Sequence, residues 1–118
     1  MINKIKKSKS GIVIELDVLI SRDKETQLYV AYCPALELST YAKDIEESKQ
    51  AFNEVLEDFI EDTHSKGTFN EYLLKHGWQL KRKPVINYQP PVPDITDIVN
   101  RMMPMGAFKQ SFKIPAYR

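Results

Sequence analysis

The 118 residues, 42% hydrophobic and 28% charged, suit one soluble globular domain and exclude a chain that is disordered throughout. No apolar run approaches the roughly 20 residues a bilayer-spanning helix needs, and a single cysteine excludes an intrachain disulfide. The net charge of +1 hides an uneven layout, since residues 1–43, 44–66 and 67–118 carry +2, −6 and +5. An acidic middle between basic ends fits two surfaces for two different partners, or a solvated helix beside an ordinary basic surface.

Residues 1–10 are polar and basic without periodicity and read as a frayed arm. No apolar stretch of signal-peptide type follows them, so the reading is cytoplasmic. From Gly11 the pattern alternates. Ile12, Ile14, Leu16, Val18 and Ile20 fall on one face and Glu15 and Asp17 on the other, which predicts a half-buried strand. A polar loop over 21–26 turns a hairpin into a second strand at 28–33, whose ladder Pro34 ends, and a short third strand covers about 38–41.

Asp44, with Glu47 three positions on, reads as a capping-box start, and Glu46 and Glu47 suit the positive end of the helix dipole. Ile45, Ser48, Phe52, Val55, Leu56, Phe59 and Thr63 then recur at spacings of three and four, as a stripe packed on the sheet. Glu54, Glu57, Asp58, Glu61 and Asp62 occupy the remaining surface, and Gly67 stops the helix. A short second helix starts at Thr68 and ends at Gly77, and 78–81 reads as a fourth strand.

Pro84, Pro90, Pro91 and Pro93 mark an irregular connector. The expected elements beyond it are a short helix at 94–103 and a terminal strand at 108–117, which Pro115 confines to an edge. The fold class is therefore α+β. Helices pack on one antiparallel sheet over residues 1–83, and 84–118 form a C-terminal extension that is not an independent domain.

Catalytic templates fail on residue count or spacing. Cys33 needs a histidine base, and His64 and His76 both fall near helix ends where an imidazole is simply favourable. No close Cys or His pair suggests zinc, the carboxylates do not converge from several strands, and the four glycines are isolated. The expectation is a protein that is not an enzyme and has no cofactor, metal or catalytic residue. Two binding surfaces remain. Glu54, Glu57, Asp58 and Glu61 suit a basic protein, and Lys81, Arg82, Lys83 and Arg101 suit phosphates, with Lys109 and Lys113 also on the basic side.

The run Tyr32-Cys33-Pro34-Ala35-Leu36-Glu37-Leu38-Ser39-Thr40-Tyr41-Ala42-Lys43-Asp44-Ile45-Glu46-Glu47-Ser48, set between a hairpin and an acidic helix, resembles the HicB family of antitoxins. Pro34, Leu36, Glu46 and Glu47 fit that family's pattern; Ser48 stands where alanine is common and Ala42 where glycine is common. The resemblance covers about residues 11–66 and fades beyond, where no ribbon-helix-helix or helix-turn-helix is readable. It implies a partial ribonuclease-H-like β-β-β-α-β fold without the nuclease site. It also implies binding and neutralisation of a HicA-like partner, a small basic mRNA-cleaving toxin, with transcriptional autoregulation through DNA in many members. Two alternatives stay open: a nucleic-acid-binding regulator using the basic half, and a structural module whose homodimer or higher homo-oligomer is built by the terminal strand.

Overall fold

The long alternating segment organises the whole molecule. The structure, a computed structural model, describes residues 3–8, 11–82, 87–91 and 104–115, with 7, 8 and 112–115 described by backbone alone. In chain order the elements are β1 (Lys4–Ser8), β2 (Gly11–Arg22), β3 (Tyr29–Cys33), β4 (Leu38–Ala42), α1 (Ile45–Ser65), α2 (Phe69–Lys75), β5 (Gln79–Lys81), β6 (Asn87–Gln89) and β7 (Gly106–Pro115). The fold is α+β: among the described residues seven strands form one antiparallel sheet against which two helices pack.

β2 is paired along both edges. On one edge it meets β7 over ten residues, from Gly11 opposite Pro115 to Ile20 opposite Gly106. The other edge is shared: Gly11–Glu15 pair with β1, and Leu19–Arg22 pair with β3. Between those two stretches Asn3 stands in for a strand, because the Asp17 amide donates to its side-chain oxygen at 2.9 Å. From β3 the sheet continues to β4, and from β1 to β6 and β5.

Alternation explains the faces. Ile14, Leu16, Val18 and Ile20 are buried on the helix side, each worth about 1.5–3 kcal/mol of burial. Ile5, Ala31, Cys33, Ala35, Leu36, Phe52, Leu56, Ile60, Phe69, Leu73, Trp78 and Tyr88 complete that core. α1 lies over β3 and β4, where the Thr40 hydroxyl donates to the Ser48 carbonyl at 3.4 Å, and Phe52 meets Phe108 of β7 edge-on at 6.3 Å. The Gln110 amide of β7 donates to Asn53 at 2.8 Å, so the terminal strand is tied to α1 as well as to β2.

The N-cap of α1 is the residue its sequence suggests. Asp44 is the N-cap, and its carboxylate accepts from the Glu47 amide at 2.8 Å. Asp44→Ala leaves that amide without its acceptor and is expected to cost about 1 kcal/mol, read as a lower urea midpoint with an unchanged slope. Gly67, at φ +69°, follows the C-cap Lys66, a conformation that disfavours any side chain.

Three expectations are corrected. The basic arm expected at 1–10 contains β1, since Ile5 opposite Ile14 and Tyr88 drives it into the core, an anchor that a local reading of isolated Ile5 among lysines misses. The polar loop begins later than expected, because β2 runs through Ser21 and Arg22, both paired to β3. The turn proper is held by Asp23, whose amide donates to the Leu28 carbonyl and whose carboxylate accepts from Thr26. The proline-rich connector contains β6, with Tyr88 inserted between Ile5 and Leu80. The helix expected at 94–103 lies outside the described residues.

Candidate interaction surface

α1 presents two opposed stripes. Ser48, Phe52, Leu56, Ile60 and Thr63 are buried against the sheet. Glu54, Glu57, Asp58 and Glu61 fall at i, i+3, i+4 and i+7, so they share one face, and that face points away from the sheet. All four are exposed. Seven residues at 1.5 Å rise put these charges within about 11 Å along the axis.

Their surroundings leave that charge unneutralised. Among the described residues the ion pairs are Lys49 with Glu46 at 3.5 Å, Lys66 with Asp62 at 3.0 Å and His76 with Glu37 at 3.3 Å, so none reaches the four. Lys49 instead spans Glu46 and the ring of Phe108, 5.6 Å from its centroid. Like charges at i,i+4 cost a few tenths of a kcal/mol per pair. The free helix therefore carries a repulsion that a cationic partner relieves.

The family-pattern residues divide by role. Glu46 and Glu47 are exposed in the first turn of α1, where carboxylates favour the dipole. Pro34 is half-buried in the turn after β3, and Leu36 is in the core at 1% exposure. That turn is pinned from across the molecule, by contacts that no local pattern encodes. Trp78 donates its indole N–H to the Ala35 carbonyl at 2.8 Å, and Tyr72 donates its hydroxyl to the Leu36 carbonyl at 2.6 Å. Glu37, at φ +55°, meets His76, which stacks on Tyr72 at 3.9 Å between centroids. Burial, aided by the charge of Glu37, raises the Tyr72 pKa. The turn that leads into β4 and α1 is thus fixed by α2 and the residues after it.

On the basic side, Lys81 and Arg82 are exposed at the end of β5. Lys83 and Arg101 lie outside the described residues. Lys109 is exposed on β7, and Lys113 occupies the register position opposite Val13.

Cys33 is fully buried, and desolvation pushes its thiol up to about 11. The thiol therefore stays protonated at neutral pH and is a poor nucleophile. A folded-state pKa above the unfolded one means the stabilising contribution is complete below about 9 and is lost as pH rises to about 11. Cys33→Ala should flatten that part of the stability–pH curve in alkaline denaturation, whereas an unaltered curve would show that the thiol does not carry it. Among the described residues no group of three or more His, Cys, Asp or Glu side chains is placed to hold a metal ion, and no helix is long and apolar enough to cross a membrane.

No family model matches this chain, and no curated protein or solved structure does.

Proposed function

We propose that this chain is a HicB-like antitoxin, a binding protein that neutralises a small basic mRNA-cleaving toxin. The observation that carries the reading is the acidic stripe of α1: four exposed carboxylates without ion-pair partners among the described residues, displayed on a 21-residue helix whose opposite face is built into the core. A rigid array of uncompensated charge speeds encounter with a partner of opposite sign and sets its orientation. The pattern from Tyr32 to Ser48 adds support, because its proline turn and capped helix start are the elements that aim the stripe. In this reading Glu54, Glu57, Asp58 and Glu61 contact the toxin, and the chain works in the cytoplasm without chemistry of its own.

The test is co-expression with a small basic protein encoded beside it. Supporting results are a complex that survives affinity purification and rescue of growth from the toxic neighbour. Neutral growth on expressing the neighbour alone, or a toxic neighbour that is neither bound nor silenced, would sink the reading.

A further inference from the structure

The face of the sheet turned away from α1 gathers lysines that are far apart in sequence. Register fixes the rows. Lys81 stands opposite Asn87, Asn87 opposite Lys6, Lys6 opposite Val13, and Val13 opposite Lys113, which makes one row across β5, β6, β1, β2 and β7. In the next row Lys4 is opposite Glu15, and in the following one Asp17 is opposite Lys109. Odd-numbered positions of β2 share this face, because Ile14, Leu16, Val18 and Ile20 carry the core on the other; Val13, Glu15 and Asp17 are partly exposed on it, whereas Leu19 and Ser21 are buried. Five lysine positions therefore stand against two carboxylates.

Strands about 4.8 Å apart put Lys81 and Lys6 roughly 10 Å apart at the backbone, and Lys6 and Lys113 the same again. Lys6, Lys81 and Lys109 are exposed. Lys4 and Lys6 crowd one another: the contact and charge of Lys4 hold the Lys6 pKa below its ordinary value, and Glu15 only partly offsets this. A bound anion relieves such crowding. At the far end of the same face Tyr41, opposite Val30, is 58% exposed. The open lysine rows run from Val13 to Asp17, about 13 Å along β2, and Tyr41 stands beyond the buried Leu19 and Ser21, in the row of Ser21 and Val30.

We propose that this face binds single-stranded nucleic acid, with its phosphates on the lysine rows and a base stacked on Tyr41. The occupant follows from charge and shape together. Reading a duplex takes an element that enters a groove, whereas a flat basic sheet face with an exposed aromatic accepts a strand laid across it. The site uses none of the α1 carboxylates, so it stands or falls separately from the toxin-binding reading.

The experiment is fluorescence anisotropy of the full chain with labelled single-stranded RNA, single-stranded DNA and duplex DNA of equal length, titrated across salt. The proposal expects single strands of either sugar to bind more tightly than the duplex. Lys6→Gln with Lys109→Gln should lower the salt slope by about two, and Tyr41→Ala should weaken binding roughly tenfold. Lys24→Gln with Lys75→Gln, on other surfaces, should leave the titration as it was. No binding at low salt, a preference for the duplex, or an equal loss in the Lys24 and Lys75 variant would overturn it. So would a Lys6 and Lys109 effect that appears only as a change in the mass of the free protein, because that marks the face as a contact between copies of the chain.

Discussion

Trp78→Ala is expected to destabilise the chain by about 3–5 kcal/mol, the usual loss on truncating a buried tryptophan. The indole is 2% exposed, and its N–H reaches the Ala35 carbonyl 43 residues away. Two effects add in this variant: a cavity behind the Pro34 turn, and a carbonyl deprived of its donor inside the core. Trp78→Phe separates them, since it keeps much of the volume and leaves mainly the unmet carbonyl, at about 1–3 kcal/mol. Tyr72→Phe removes only the neighbouring bond to Leu36 and should cost about 1 kcal/mol. The measurement is urea unfolding at fixed pH. If Trp78→Phe is as stable as the parent, the indole hydrogen bond does not hold the turn and packing alone does. Because this turn launches β4 and α1, the alanine variant should also lose the acidic stripe's fixed position while every charge on it is retained.

The elements that were legible in the sequence are those whose cause is local. Alternating β-branched residues mark β2, a capping box marks the start of α1, and glycines mark the ends of both helices; each is written within a few positions of where it acts. β1 was not legible, because its buried Ile5 sits among lysines and gains its reason only from Ile14 and Tyr88. β6 was hidden in the same way by the prolines around it. The acidic stripe was readable because helical spacing alone places Glu54, Glu57, Asp58 and Glu61 together. The lysine face was not, since Lys81, Lys6 and Lys113 meet only through four strand registers that no local pattern encodes. The pinning of the Pro34 turn by Tyr72 and Trp78, 36 and 43 residues from their acceptors, is non-local in the same sense.

Neutralising the stripe should move stability and binding in opposite directions. In Glu54→Gln, Glu57→Gln, Asp58→Asn and Glu61→Gln combined, four like-charged pairs at i,i+3 and i,i+4 disappear, at a few tenths of a kcal/mol each. The free protein should gain roughly 1–2 kcal/mol, because the four side chains are exposed and touch no described ion-pair partner. Association with a small basic partner should slow by a factor of about 10 to 1,000, since steering by complementary fields accounts for that range, and the rate should lose most of its dependence on ionic strength. A merely solvated helix face predicts the stability gain without the kinetic loss. Stopped-flow association across a salt series, beside urea unfolding of the same variant, distinguishes the two. An on-rate and salt slope equal to the parent's would place the partner elsewhere on the molecule. A slower on-rate in a more stable protein would mean that the repulsion along α1 is retained for recognition, at the expense of the helix that carries it.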